Sequence, residues 1–235
     1  MRLAHARPAT AALVAGGVLF SAASGVSIAV AAGTATALPI DDLEDGDNTI
    51  EAIGNRIGYW YTYNDATATG TQTPKPDPTG IIPFKPTAGG HSPLFSAETN
   101  GSGFLTWGAG MGFDFNNTAM KSCVYDASAY SGITFWAKGN VSLKAMVKIP
   151  ATTQSTSDSG TCTAAGMCED HYTLTPLPAL STTWTQYTIT FASAATFAQA
   201  GWGVPVMFDK KNIIAMQFQV GIAAFDYSID DIAFF

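Results

Sequence analysis

The chain shows almost no helical periodicity, and this limits its fold more than any other feature. From residue 56 onward the apolar residues come in short runs rich in aromatic and β-branched types, cut at close intervals by Gly, Pro, Asn and Ser. The runs are RIGYWYTY (56–63), PLFSAET (93–99), GFLTW (103–107), MGFDF (111–115) and GITFWAKG (132–139). VSLKAMVKIP (141–150), DHYTLTP (170–176), TWTQYTITFA (183–192), NIIAMQFQVG (212–221) and FDYSIDDIAFF (225–235) complete the set. About ten strands in one stretch of chain predict an all-β fold, a β-sandwich of two antiparallel sheets.

Alternation within the runs assigns faces. Leu143, Ala145, Val147 and Ile149 share one side of a strand, and Lys144, Met146 and Lys148 share the other. Met216, Phe218, Val220 and Ile222 are expected to face the core, with Gln217 and Gln219 pointing outward. Two segments interrupt the pattern. Residues 64–92 are rich in Thr, Pro and Gly and predict neither strand nor helix, and residues 150–170 form a second long insert.

Residues 1–37 read as an export signal, with Arg2 and Arg7 ahead of an apolar, small-residue stretch and small-x-small cleavage candidates at 29–31 and 35–37. The alternative is an uncleaved membrane anchor, which a stretch of Ala, Gly and Ser serves less well than one of Leu. Removing the leader leaves 9 basic residues against 18 acidic ones, a balance that argues against nucleic acid as a partner. One domain, residues 38–235, is expected to be secreted or held at the cell surface, with no membrane span once the leader is cut. In an oxidising compartment Cys162 and Cys168, closing a short loop, are the natural disulfide, leaving Cys123 unpaired. Zinc is the weaker alternative, since only His91 and His171 remain as nitrogen ligands.

Taken in order, DDLEDGD (41–47), GYWYTYND (58–65), TWGAGMGFDF (106–115), YDASAYSGITFWAKG (125–139), WTQYTITF (184–191) and IDDIAFF (229–235) resemble a secreted galactose-binding-like β-sandwich. More narrowly, they are similar to carbohydrate-binding modules near family 11, over residues 41–235. The inserts at 64–92 and 150–170 depart from a minimal module. The resemblance implies a jelly-roll with a structural calcium ion, held by an acid near the first strand and an aspartate of the last. Glu44 and Asp230 match those positions, with Asp47 and Asp231 as neighbours. Carboxylates supply the hard oxygens calcium takes, and an aspartate inside an apolar strand needs a partner.

Sugars are bound by aromatic faces and by amide or charged groups meeting hydroxyls. Tyr59, Trp60 and Tyr61 alternate, so at least one ring is expected outside. Trp107 stands at a strand end beside Gly108 and Gly110, and Trp202 lies between glycines in a connection. Lys144, Lys148, Gln217 and Gln219 would line a cleft floor, whereas Trp136 and Trp184, at regular strand positions, are expected in the core. The partner implied is a polysaccharide or cell-surface glycan, of the β-glucan type by resemblance. The sequence contains no nucleophile elbow, zinc-protease motif or phosphate loop. Glu98, Glu169 and Asp170 are left as candidates for a glycosidase pair, and a hydrolase or lyase, or an adhesive protein without a sugar ligand, remain the alternatives.

Overall fold

The computed structural model describes residues 37–77, 79 and 83–235, so the leader expected over 1–37 lies outside the described residues except at Ala37. Period-two alternation sorts the strands, numbered in chain order, into two layers. A seven-stranded sheet contains β1 (Leu38–Asp41), β3 (Thr71–Thr73), β4 (Thr87–Ala88), β5 (Phe95–Ser102), β9 (Gly132–Gly139), β12 (Thr185–Thr190) and β15 (Phe225–Phe234). A six-stranded sheet runs in the order β13-β11-β10-β14-β6-β2. Its strands are β2 (Trp60–Asn64), β6 (Ala109–Asp114), β10 (Lys144–Lys148), β11 (Tyr172–Leu174), β13 (Phe197–Ala198) and β14 (Ala215–Val220). A small ribbon of β7 (Asn116–Thr118) and β8 (Lys121–Cys123) stands apart, and every pairing between these strands is antiparallel. The all-β two-sheet sandwich expected from the sequence is the fold observed.

The core forms where the inward residues of both layers meet. Ile133, Phe135 and Ala137 of β9 and Tyr227 and Ile229 of β15 face Ala145 and Val147 of β10 and Met216 and Phe218 of β14, all buried. Phe135 meets Phe218 edge-on across the sandwich, 5.1 Å between ring centroids. The inward assignments in β10 and β14 hold to Val220. Ile222 lies beyond the end of β14 and is 56% exposed, because the strand stops and releases its side chain to solvent.

The two ends of the domain meet as β1 pairs with β15, Leu38 opposite Phe234. The acidic stretch that follows β1 is a series of short turns. Asp41 Oδ1 accepts the amide of Leu43, Asp42 that of Glu44, Asp45 that of Asp47 and Asp47 that of Thr49. Each carboxylate holds its own backbone two residues on. Asp41 is itself buried, and the Trp60 indole N–H donates to its Oδ2 at 2.6 Å.

Four expectations are corrected here. Trp60 is a core residue, 2% exposed, packed against Phe84, Phe113 and Phe218; inward placement on β2 and the bond to Asp41 remove it from any binding surface. Trp136 and Trp184 are half-buried on the outward side of the seven-stranded sheet, where Trp136 alternates with the inward Phe135 and Ala137. GFLTW forms a loop rather than a strand, and the 64–92 insert contains β3 and β4.

Candidate binding cleft

The outward face of the six-stranded sheet carries a cleft of about 650 Å³. Its floor is built by alternation: Lys144, Met146 and Lys148 from β10, Gln217 and Gln219 from β14, Thr173 from β11 and Tyr63 from β2. Trp107 stands over one end, and Trp202 with Ala200 and Leu177 forms another wall. Of the residues singled out in the sequence, Trp107, Lys144, Lys148, Trp202, Gln217 and Gln219 come together here, with Glu169 and Asp170 at the edge of the same lining. Tyr61 lies beside them, its hydroxyl accepting from Gln217 Nε2 at 3.1 Å. Tyr59 stays outside the lining, half-buried ahead of β2 and bridged to Thr49.

Met146 joins the lining from the face alternation gave it and His171 without having been considered for sugar binding, while Tyr63 belongs to the lining without having been marked by the sequence. The available signal for Tyr63 was the pair of glycines in AGMG. Tyr63 pairs with Gly110 and Tyr61 with Gly112 across the β2–β6 ladder. A Cβ at Gly110 would lie 2.6 Å from the Tyr63 hydroxyl, and one at Gly112 would lie 3.0 Å from Cγ of Gln217. The missing side chains leave room for Tyr63 and Gln217 to lie across β6. Tyr63 and Trp107 then sit with ring centroids 5.9 Å apart at one end of the cleft.

At the other end, the Cys162–Cys168 disulfide, present as expected, precedes Glu169, Asp170 and His171; Cys123 is free. Glu169 Oε2 pairs with Nε2 of the buried His171 at 2.9 Å, and His171 Nδ1 meets the Thr152 hydroxyl at 2.8 Å. Burial drives the His171 pKa down, against the bond to Glu169. Burial pushes Glu169 up, but bonds from His171 and the Gln154 amide and nearby positive charge outweigh it and bring the carboxyl to about 2. Asp170 is bonded to three loop amides. Glu98 is on β5 in the other sheet, bonded to Thr87, so it does not meet Glu169 or Asp170 as an acid–base pair.

The four metal candidates divide. Glu44 Oε1 accepts the amides of Leu94 and Phe95, Asp230 Oδ2 accepts that of His91, and Asp231 Oδ2 pairs with His91 Nδ1 at 2.6 Å. All three therefore gather at residues 91–95, while Asp47 bonds to Thr49 within its own turn. Burial above all, with the charges of Asp231 and Glu44, pushes the Asp230 carboxyl up to about 6, against the bonds it accepts. Among the described residues, no three His, Cys, Asp or Glu side chains converge closely enough to hold a metal by themselves.

No family model matches the chain. It is 31% identical over 190 residues to Endoglucanase 3 of Fibrobacter succinogenes, an alignment covering 77% of this chain and 24% of that protein. The chain thus spans about a quarter of the length of the curated relative it matches. Among solved structures, it is similar to the family 11 carbohydrate-binding module of a cellulosomal cellulase of Clostridium thermocellum. The TM-score is 0.49 and the identity 16%, over 84% of this chain and 93% of that one. A second structure, a Clostridium thermocellum family 11 module in complex with a β-1,3-1,4-mixed-linked tetrasaccharide, matches at TM-score 0.44 and 14% identity, over 80% and 95% of the two chains.

Proposed function

We propose that the protein is an exported, non-catalytic carbohydrate-binding module that holds a polysaccharide chain, of the β-glucan class, in the cleft of the six-stranded sheet. The observation that carries this is the composition of one open face. Exposed rings of Trp107 and Trp202 flank a floor of Gln217, Gln219, Lys144 and Met146. Rings stack on the C–H faces of sugars, and glutamine both donates to and accepts from hydroxyls. The relative named as an endoglucanase supports a glucan ligand. The apolar leader and the disulfide support export. Among the described residues, none of the insert 64–92 lines the cleft, and His91 at its far end stacks on the opposite sheet, which disfavours the adhesive alternative.

A structural calcium ion is part of the same proposal. The carboxylates of Glu44 and Asp230 are hard oxygen donors at the junction of the two chain ends, and Asp230 is crowded by like charge, a setting a cation would relieve. Asp231 pairs with the His91 ring and Asp47 with the Thr49 hydroxyl, whereas Glu44 and Asp230 accept backbone amides, so Glu44 and Asp230 would be the side-chain ligands, with main-chain oxygens completing the shell.

The test is retention of the domain on a panel of soluble and insoluble polysaccharides, with calcium and then with chelator. Selective retardation on a glucan, with a lower Tm under chelator, is the expected result. A folded domain that no polysaccharide retards would sink the binding reading; an unchanged Tm under chelator would remove the metal alone.

A further inference from the structure

The two exposed tryptophans of the cleft come from unrelated loops at diagonal corners of the sheet. Trp107 stands two residues before Ala109, which pairs with Val220 at the far end of β14. Trp202 belongs to a loop tied to Asp170, just ahead of Tyr172, which pairs with Val147 near the opposite end of β10. Rings at 41% and 54% exposure on loops would ordinarily be free to turn with their backbone.

Each loop is instead gathered on a carboxylate that accepts three of its amides. Asp65 Oδ2 accepts the amides of Thr106, Trp107 and Gly108 at 2.8, 3.1 and 3.1 Å, and Oδ1 accepts that of Thr67. Desolvation pushes the Asp65 carboxyl up, but the bonds from the Thr67 hydroxyl and the loop amides prevail and hold it well below the usual range. Asp170 Oδ1 accepts the amide of Ala200, and its Oδ2 those of Gly201 and Gly203, at 3.0, 2.9 and 3.0 Å. The second loop can close on Asp170 only because residue 203 is glycine: a Cβ there would lie 2.4 Å from Cβ of Asp170. Charge-assisted bonds to three amides fix a short loop more firmly than neutral ones would. Order established before binding is entropy that the ligand need not remove.

We propose that Asp65 and Asp170 are positioning residues of the cleft, each locking the main chain that carries one tryptophan so that both rings stand preset for one polysaccharide chain. The proposal rests on the cleft being the glycan site. Neither carboxylate needs to touch the ligand. They act through Trp107 and Trp202.

The experiment measures affinity electrophoresis in mixed-linkage β-1,3-1,4-glucan, xylan and hydroxyethylcellulose. The variants are Asp65→Asn, Asp170→Asn, Trp107→Ala, Trp202→Ala and the two Asp/Trp doubles on the same loop. Asn keeps the shape but replaces one acceptor oxygen with an N–H donor facing amides. Each single variant is expected to bind about tenfold more weakly, the scale of a lost aromatic contact. Each double should be no weaker than its Trp single, because the aspartate works only through the ring. Gly203→Ala, which displaces the loop while keeping Asp170, should match Asp170→Asn and covers the case in which the buried Asp170→Asn fails to fold. Fluorotryptophan NMR reads the ordering of Trp107 and Trp202 without any glycan, and the Trp107 signal should sharpen towards free motion in Asp65→Asn and the Trp202 signal in Asp170→Asn. Wild-type affinity in the Asn variants beside weakened Trp variants would overturn the proposal and leave the glycan reading standing. Wild-type affinity in the Trp variants, or no retention of wild type at all, would overturn both.

Discussion

The outward faces of the two sheets offer similar residues and make opposite uses of them. On the seven-stranded sheet, Trp136 and Lys138 of β9 and the neighbouring Trp184 are covered by the segment ahead of β5. His91 stacks on Trp136 at 3.8 Å between centroids and 16° between planes, and meets Trp184 edge-on at 5.9 Å. Lys138 Nζ sits 4.7 Å over the Trp184 ring and donates to the Gly89 carbonyl. His91 in turn is held by Asp230 and Asp231. On the six-stranded sheet, Trp107, Trp202, Lys144 and the glutamines line an open cleft. Tryptophan beside lysine on a sheet is therefore not what distinguishes a site. What distinguishes it is whether a segment of the chain itself takes up the rings.

The sharpest way to break this contrast is to test the third class of tryptophan, the buried one. Trp60→Ala should lower unfolding free energy by about 3–5 kcal/mol, as loss of a large core aromatic does. Urea denaturation measures it; lost retention with unchanged stability would return Trp60 to the binding face.

Its partner gives the next largest effect. Burial pushes Asp41 up to about 7 in the fold, against 3.8 for an exposed carboxyl, despite its bonds to Trp60 and Leu43. Between those values the folded chain binds a proton that the unfolded chain does not. Stability from this group therefore falls as pH rises from about 4 through 7, by on the order of a few kcal/mol. The difference between wild type and Asp41→Asn isolates it, and a slope in that difference of the opposite sign would refute the assignment.

Reducing Cys162–Cys168, which are six residues apart, should cost about 2 kcal/mol by loop-closure entropy. Hydrogen exchange should then quicken in residues 150–171 at the end of the cleft and stay unchanged around Trp136 and Trp184. Faster exchange on both faces would show that the disulfide supports the whole sandwich instead.

The smallest effect is expected at the cover. His91→Ala removes one stacked ring, worth about 1 kcal/mol, and should raise acrylamide quenching of tryptophan fluorescence without altering retention on polysaccharide. Reduced retention would mean that the covered face takes part in binding, and the contrast between the sheets would fail.

Much of the cleft floor was legible because a strand reports its two sides by alternation. Lys144, Lys148, Gln217 and Gln219 share a face with Met146 for that reason alone, and the inward set from Leu143 to Val220 follows from the same period. The two loop tryptophans were legible through the glycines beside them. Tyr63 was not, because its place depends on empty positions across a ladder, at Gly110 and Gly112 of another strand. Trp136 and Trp184 are expected in the core because they stand at regular strand positions, and such rings ask to be covered. The sequence cannot say whether sheet packing or a folded-back loop provides that cover.

By itself, then, the order of residues determined the layered all-β class, the faces of β10 and β14 and the single disulfide, since each follows from local period or short spacing. Only the tertiary structure decided which tryptophans are core, covered or open. It also decided that the acids of residues 41–47 serve chiefly as turn caps, with Asp41 buried against Trp60. The caps are local, but the fates of the tryptophans and the burial of Asp41 depend on contacts between segments far apart in the chain, where each loop competes with solvent for the same rings.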